Sequence, residues 1–471
     1  MTSSVDGLVS GLSTSSLIQQ LMTVEAAPQT RLKTKASTAQ TAVDSYQSVN
    51  SKVLALKSAG DTISQLSTWR AISATSSSSS VTATALVGTN TATGTTQFDV
   101  KSLAKSQITT AKVPAAGGDI MSGNQLTIDV GPLADPDPTK HKSTTLTITD
   151  KSPKGVADAI NAAGLGVKAA VITTGGSENI LQLSGAKTGA AAAFQITGLD
   201  QLSNGAPMTE VATAADARLE IGGGDADANG DGFADGYVVT STTNTFTNLM
   251  PGVTITVSKL EDGVTVGATS DVDGMAGKFQ ALVDAANAAL SEIGKQTAYD
   301  PNTKKGSPLT GDFAVRNMSQ SILSTFSQGV IYANPRYDKN VATDPVTNPL
   351  TLAAGSYAKY GIQLDRSGQL TFDPEAFKSA YAADPVKTQE VGTGIGDVFE
   401  ALGDKMSQNL KSVMTNRKTE IDNINSQIDD WDVRLAARRE ALQKQYSALE
   451  VSLGKLKDQS NWLSGQLAGL S

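Results

Sequence analysis

Both ends of this 471-residue chain carry the periodicity of amphipathic helices, and the middle does not. Near the C-terminus, apolar residues recur at alternating steps of three and four, which is the heptad pattern of helices that pack along a shared seam. No proline follows Pro385 to interrupt this pattern. The seam falls in two runs: Ile421, Ile424, Ile428, Trp431 and Leu435, then Leu442, Tyr446, Leu449, Leu453, Leu456, Leu463, Leu467 and Leu470.

The two runs are out of phase, and the shift falls between Arg438 and Tyr446. A stutter of this kind locally relaxes supercoiling. The residues between the seam positions are polar and mixed in charge, so the isolated helix would be only marginally stable. Such a helix either closes an intramolecular bundle or stays unpaired until it meets a partner.

The N-terminal region predicts two helices. Leu17, Leu21 and Val24 share one face of the first. Pro28 fits the first turn of the second, where its missing N–H has no intrahelical partner to lose. The second helix continues through an apolar series from Val43 to Ile63, in which Gly60 is the weak point.

The middle of the chain predicts β structure, because short runs alternate apolar and polar residues between turn signals. One helix interrupts these strands, with Ser152 as its N-cap and Gly164 after its end. The order along the chain is therefore helix, β region, helix. If the terminal helices pair, the β region is an insertion in a helical stalk. The alternating runs contain Phe98 and Val100, Leu126 to Val130, Leu146 and Ile148, Leu181 and Leu183, and Val253 to Val257.

Composition excludes several chemistries. The chain has no cysteine, which excludes disulfides, zinc fingers and a thiol nucleophile. Its one histidine, His141, lies in a charged, proline-rich segment without a catalytic partner motif. The glycine cluster at 392–396 lacks dinucleotide-site spacing and is interpreted as a loop before a helix at Val398. The pair Asp429 and Asp430 is expected on a solvated helix face, so we predict no enzyme activity.

The net charge of −8, without a long basic run, argues against nucleic-acid binding. No apolar stretch approaches the roughly 18 residues needed for a membrane span. Residues 1–6 contain no basic n-region and no apolar core follows them, so a Sec-type signal peptide is not expected. Yet the chain is rich in serine, threonine and glycine and low in charge, as secreted surface proteins are.

One local motif indicates a metal. Asp227, Asn229, Asp231 and Asp235 occupy positions 1, 3, 5 and 9 of a calcium-type loop, with Gly232 at position 6. Position 12 is Val238, so the bidentate carboxylate of such loops is missing. The motif has two possible interpretations: a Ca²⁺ site, or an acidic glycine-rich hairpin tip. No other cofactor is indicated.

Several segments, in order along the whole chain, resemble the bacterial flagellar filament cap proteins, the hook-associated protein 2 family. The helix at 158–162 and the strand after it are similar to the "IN" motif of flagellar axial proteins. No single segment is decisive, but their order and spacing are specific. The matching segments are Val5–Thr14, Phe98–Ala104, Asp158–Ala162 with Val167–Ile172, Lys187–Ala190, Pro251–Ile255, Leu309–Asp312 and Gly361–Leu370.

The resemblance implies an α+β multidomain fold. Terminal helices form a coiled-coil or helical stalk, a mainly helical leg domain follows, and two β-rich head domains are inserted between the helical ends. We predict the following domain bounds: residues 1–45 and 415–471 form the terminal helices, and residues 46–72 and 275–414 form the leg domain. Residues 73–115 and 206–274 form the first head domain, and residues 116–205 form the second, which is inserted in the first.

The resemblance also implies a role at the extracellular tip of the flagellum. Such a protein is secreted through the flagellar type III apparatus, caps the growing filament, retains exported flagellin and promotes its folding and polymerisation. Implied partners are further copies of the chain in a ring, commonly a pentamer, flagellin, hook–filament junction proteins and an export chaperone on the C-terminal helices. The expected interaction residues are Leu17, Leu21, Val24, Leu442, Tyr446, Leu449, Leu453, Leu456, Leu463 and Leu467.

Two alternatives remain at this stage. A surface adhesin would bind host or environmental ligands through its β-rich head, a role compatible with capping. A flagellin-like axial structural protein would share the terminal heptads but polymerise into long filaments. Three features favour the cap: the segment near Phe98–Ala104, the segment at Gly361–Leu370 and the "IN" helix arrangement.

Overall fold

A computed structural model of the chain describes residues 13–86, 92–115, 117–133, 135, 137–222 and 236–468. The chain divides into two compact units. The first combines residues 1–66 with 275–471, and the second consists of residues 67–274. The first unit is mainly helical and the second is mainly β, which confirms the predicted insertion of β-rich domains between helical ends.

Helices dominate the first unit, and in both units proline or capping side chains fix several helix starts. Pro28 lies in the first turn of the second helix, as predicted. Asp312 and Ser152 are N-caps whose side chains accept hydrogen bonds from the backbone N–H groups of Val315 and Gly155. The helices in the described residues are α1 (Thr14–Glu25), α2 (Ala27–Ser64), α3 (Leu66–Trp69), α4 (Pro153–Ala163), α5 (Val272–Thr297), α6 (Phe313–Ser327), α7 (Pro374–Ala383) and α8 (Pro385–Ala468).

The strands follow the predicted alternation closely. Their bounds are β1 (Ile72–Ser76), β2 (Val81–Ala85), β3 (Gly94–Ser102), β4 (Ile108–Pro114), β5 (Gln125–Val130), β6 (Lys142–Thr147), β7 (Val167–Ile172), β8 (Glu178–Gly185), β9 (Phe194–Thr197), β10 (Thr209–Ala212), β11 (Ala217–Ile221), β12 (Tyr237–Ser241), β13 (Thr245–Met250), β14 (Val253–Val257), β15 (Glu261–Ser270), β16 (Tyr299–Asp300), β17 (Lys305–Gly306), β18 (Val330–Ala333), β19 (Thr351–Gly355), β20 (Ile362–Leu364) and β21 (Leu370–Phe372).

The β-rich unit contains two separate hydrophobic cores. One lies among the sheets β1-β15-β3-β11-β12 and β13-β14-β2 and buries Phe98 and Leu219. The other lies among β10-β4-β8-β7, β6-β5-β9 and α4 and buries Leu126 and Leu181. Strands β4 and β10 belong to the second group of sheets. We therefore propose that the two head domains join near residues 105–107 and 212–216; the four-part division of the chain stays a prediction.

Asparagine side chains clamp helices to neighbouring strands in both units. Asn161, at the centre of the "IN" motif, donates from Nδ2 to the carbonyl of Ala169 at 2.7 Å and accepts from the Ala169 N–H at 3.0 Å. Asn287 on α5 makes the same pair of bonds to Leu370 at 2.7 and 2.9 Å. The primary amide has both a donor and an acceptor, so it completes the backbone bonding of a strand residue as another strand would. The motif is thus explained by strand anchoring.

An aromatic cluster anchors the first part of α8 in the helical unit. Phe399 is fully buried, and its ring centroid lies 4.5 Å from that of Phe326 on α6. Tyr357 packs edge-on against Phe326 at 5.2 Å. Desolvation of this site raises the pKa of the Tyr357 hydroxyl above its ordinary value. This region of α8 is therefore part of a compact core.

The predicted loop at 392–396 is wrong, because these residues lie inside α8. A Cβ placed on Gly396 would stand 2.5 Å from Ser64 N and 2.6 Å from Gly60 O. Gly60 itself faces the α8 backbone in the same way, with Glu400 N at 2.7 Å. The glycines let the two helix backbones touch, so packing outweighs their poor helix propensity. Gly60 is accordingly a contact point of α2, and the sequence-based view of it as a weak point was incomplete.

Candidate interaction surface

The first part of the α2–α8 pair, which we call the proximal seam, is closed by apolar side chains. The two helices pack along each other, and Gly60, Gly396 and Gly403 bring their backbones close. The side chains that fill the seam are all below 5% exposed. They are Val43, Val49, Val53, Leu56 and Ile63 on α2, and Val391, Ile395, Phe399, Met406 and Leu410 on α8.

A hydrogen-bonded network marks the end of the proximal seam. The Tyr46 hydroxyl on α2 donates to the carboxylate of Asp312, which also caps α6. Desolvation and this acidic neighbour raise the pKa of Tyr46 to about 12. On α8, Arg417 pairs with Glu420 at 2.9 Å, and Lys35 of α2 pairs with Glu420 at 3.3 Å. Arg417 and Lys35 hold the pKa of Glu420 below its ordinary value.

Beyond this network, the α2–α8 contact continues with fewer apolar side chains: Ile421 and Ile424 are still buried at 9% and 3% exposure, and polar contacts accompany them. Gln29 donates from Nε2 to Asp432 at 2.5 Å and to the Ile428 carbonyl at 3.3 Å. Arg438 of α8 pairs with Glu25 of α1 at 3.3 Å. Gln29 is itself buried at 5% exposure, whereas the Arg438–Glu25 pair is exposed and contributes about 0–1 kcal/mol. This stretch therefore buries fewer apolar side chains than the proximal seam.

Helix α1 offers an apolar face that α8 does not cover. Ile18 is its buried apolar residue, at 7% exposure. Of the predicted interaction residues, Leu17 is half-buried, whereas Leu21 is 41% and Val24 is 74% exposed. Sequence reasoning missed Ile18, although its spacing of four from Thr14 and Met22 could have indicated a second face.

The predicted C-terminal residues separate into a covered and an uncovered group. Leu442 is buried at 6% exposure, and Tyr446 and Leu453 are half-buried. The remaining four, which we call the distal stripe, are 47–61% exposed: Leu449, Leu456, Leu463 and Leu467. They span about 27 Å along one face of a continuous helix. Trp462, which is not a seam position of the heptad pattern, is 66% exposed on the face of α8 that is turned away from the stripe.

The other sequence predictions do not converge on a catalytic or metal centre in the described residues. The His141 ring Nε2 lies 3.0 Å from the Pro132 carbonyl. Asp429 and Asp430 are exposed on α8, as expected. Across the described ranges, no three acidic or histidine side chains are grouped to hold a metal ion. The calcium-type residues Asp227, Asn229, Asp231 and Asp235 lie outside the described residues.

None of the helices that the structure describes is both long and apolar enough to cross a membrane. This includes α8, in which charged and polar residues recur between the seam positions.

Two family models match this chain, and both describe the family that the sequence motifs resemble. The family model described as "Flagellar hook-associated protein 2 N-terminus" matches residues 10–107, and that for the C-terminus of the same family matches residues 225–458. Together they account for well over half of the chain. The chain belongs to the flagellar hook-associated protein 2 family.

Individual relatives extend the family match over nearly the whole chain. A B-type flagellar hook-associated protein 2 from Pseudomonas aeruginosa is 23% identical over 96% of this chain and 95% of its own length. The flagellar hook-associated protein 2 of Salmonella typhimurium is 23% identical over 68% of each chain. The family assignment confirms the resemblance predicted from the sequence motifs.

A solved structure shares the fold. The crystal structure of the D1-D2-D3 domains of the flagellar cap protein FliD from Escherichia coli superposes with a TM-score of 0.55 and 21% identity. The match covers 79% of this chain and 99% of that one. This chain therefore shares the fold of that flagellar cap protein.

Proposed function

We propose that this chain caps the distal end of the growing flagellar filament, where it retains exported flagellin and promotes its folding and polymerisation. Family membership supports the capping role. The observation that carries the proposal is the distal stripe, a helical row of leucines that nothing in the described residues covers. It would act outside the cell, after export through the flagellar type III apparatus.

The distal stripe suits a helical partner. Its residues keep the spacing of a heptad seam, and a seam of this kind is filled by knobs from a second helix. Full burial of one leucine contributes roughly 1.5–3 kcal/mol. Because the four leucines are 47–61% exposed, covering them contributes about half of that each, roughly 3–6 kcal/mol together before the costs of ordering and association. This burial would favour assembly of helices whose ends are only partly covered in the single subunit.

We infer four kinds of partner for this surface from its chemistry and the family. In the assembled cap, the stripe with Leu21 and Val24 would pack against other copies of the chain in a ring, which we propose to be a pentamer. The same helices would contact flagellin or the hook–filament junction proteins at the filament end. Before export, a chaperone would cover the stripe, because monomeric proteins rarely leave large apolar patches exposed.

The test replaces Leu449, Leu453 and Leu456 by glutamine in a strain that lacks its own cap gene. We expect loss of swimming, short or absent filaments and flagellin released into the medium, while circular dichroism shows an unchanged β-rich unit. The matched control makes the same change to glutamine at Val433 and Val451, which are 72% and 60% exposed on α8 but lie off the stripe. Full-length filaments with the triple variant would contradict the proposal.

A further inference from the structure

A groove in the helical unit lies between the first turns of α8, the end of α2 and strand β18. Its volume is about 360 Å³. Leu66, Ala333 and Pro335 form apolar walls, and Leu66 is 48% exposed although its side chain is large and apolar. The volume is at the low end of the range for small-molecule sites, so the groove suits one long side chain better than a cofactor.

Two carboxylates of α8 line this groove from the same face of the helix. Glu390 and Asp397 are seven residues apart, which is two helical turns and about 10 Å along the axis. Tyr332 of β18 packs against α8 midway between them, at Gly394, where an added Cβ would collide with the Tyr332 side chain. Carboxylates beside an aromatic side chain are groups that attract a cation. We call the groove with these three side chains the acidic groove.

The positive charges of the helical unit do not neutralise both carboxylates of the acidic groove. Arg336 reaches Glu390, but at 3.4 Å and with a side chain that is 76% exposed. Lys57 pairs with Glu400 at 3.2 Å. Asp397 has neither an ion pair nor a hydrogen bond among the described residues. Desolvation and the charge of Glu400 raise its pKa, so a cation at its side would be stabilising.

A second polar group of the acidic groove also lacks a partner. Tyr332 is 6% exposed, and its hydroxyl makes no hydrogen bond within the ranges that the structure describes. Desolvation and the negative charge of Glu390 raise the pKa of this hydroxyl, because it lies near that carboxylate. A hydroxyl withdrawn from water without a hydrogen bond is costly, so the site favours a ligand that bonds to it.

We propose that the acidic groove binds an arginine side chain presented by an exposed segment of a partner protein. The guanidinium would donate to Asp397, Glu390 and the Tyr332 hydroxyl, while its aliphatic stem lies along the apolar walls. Arginine fits better than lysine because its planar group carries five N–H donors and is more weakly hydrated.

A metal ion fits this groove less well than a basic side chain. Across the described ranges, no three acidic or histidine side chains are grouped to hold one, and apolar walls offer it no ligands. The acidic groove lies on the first turns of α8, far along the helix from the distal stripe. The proposal therefore does not depend on the proposed capping function.

The test measures binding of a short peptide that carries one arginine to the full chain, by saturation-transfer NMR and calorimetry. A peptide with citrulline in place of arginine is the comparison, because citrulline keeps the shape of the side chain and removes its charge. The arginine peptide should bind roughly tenfold more tightly or better, since hydrogen bonds to charged groups are the stronger ones. Its binding should weaken as the salt concentration rises.

Variants of the chain locate the binding. Asp397→Asn should weaken binding of the arginine peptide by roughly tenfold, while the melting temperature stays equal or rises, because the change removes a charge that desolvation disfavours. The matched control, Asp404→Asn, makes the same change one heptad further along α8 and outside the groove. Asp404 accepts from Gln408 at 2.6 Å, and its substitution should leave the affinity unchanged. Tyr332→Phe should weaken binding less than Asp397→Asn does.

Several results would overturn the proposal. One is equal binding of the arginine and citrulline peptides, and another is an affinity that persists in both Asp397→Asn and Glu390→Gln. Loss of binding in Asp397→Asn only together with a lower melting temperature would show a structural role for this carboxylate instead. Spermidine that binds at the groove and that the arginine peptide does not displace would make the ligand a free amine and not a protein side chain.

Discussion

The long helix α8 is held in two different ways along its length. Its first part buries Ile395, Phe399 and Leu410 in the proximal seam, where glycines let it touch the backbone of α2. Its last part still buries Leu442, makes a few polar contacts and exposes the distal stripe. The same kind of apolar spacing is thus buried within the subunit at one end and left exposed at the other. Burial, and not periodicity, distinguishes the two roles.

The largest effect is expected from Phe399→Ala in the proximal seam. Phe399 is fully buried against Phe326, so the change leaves a cavity and should destabilise the helical unit by about 3–5 kcal/mol. Urea unfolding followed by circular dichroism measures this. The control is Val433→Ala, which is 72% exposed on the same helix and should change stability by less than about 0.5 kcal/mol. Similar losses for both variants would show that α8 has no distinct proximal core.

Gly→Ala substitutions at the two ends of α8 should change stability in opposite directions. By helix propensity alone, Gly→Ala stabilises a helix by roughly 1 kcal/mol. At Gly396 the added methyl would meet the α2 backbone, so we expect Gly396→Ala to destabilise by about 1–3 kcal/mol.

Gly465 has open space around the same position, and Gly465→Ala should therefore raise helicity or stability slightly. Melting temperatures and helical circular dichroism of the two variants test the comparison. Stabilisation by both substitutions would mean that the α2–α8 backbones are not in contact.

The smallest effects concern pH. Desolvation and the neighbouring Glu400 raise the pKa of Asp397, on the proximal part of α8. A raised carboxyl pKa means that the folded state binds the proton more tightly, so stability is lost as pH rises through that pKa. Asp397→Asn should therefore be slightly more stable than the wild type at pH 7, and the difference should shrink as the pH falls towards 4.

Substitution of Glu420 should have the opposite pH dependence, because Arg417 and Lys35 lower the pKa of the Glu420 carboxyl. Its ion pairs contribute stability above the ordinary carboxyl pKa that is lost as the pH falls. Glu420→Gln should accordingly be slightly less stable than the wild type at pH 7 and equal to it at low pH. Thermal unfolding of both variants and the wild type across pH 3–8 tests these opposite pH dependences of stability. If the melting temperatures of the two variants changed with pH in parallel, the opposite pKa shifts of Asp397 and Glu420 would be contradicted.

Much of the fold follows from local sequence signals. The capping Ser152 and the terminating Gly164 bound α4, and Pro28 stands in the first turn of α2 as predicted. Alternation at Leu126 and Ile128 predicts β5 and the face that it buries. These signals succeed because backbone geometry repeats every 2 or about 3.6 residues, and one buried face imposes that period on the sequence.

The same signals fail where a distant segment decides the environment. Glycines at 392–396 indicate a loop locally, but α2 lies against them and makes them a helix contact. Ile18 and Leu21 are equally apolar, and only the position of α8 buries one and leaves the other exposed. Glu220 belongs to a charged residue type that is seldom buried, and its burial could not be read from its neighbours in the chain.

The sequence by itself therefore determined the helical ends, the β-rich insertion, the family and the heptad spacing of the terminal helices, because each depends on residues close together in the chain. Only the tertiary structure decided which seam residues are already covered. It also showed which glycines join helices. Those properties depend on what lies across from a residue, and the partner is hundreds of positions away in α2 and α8.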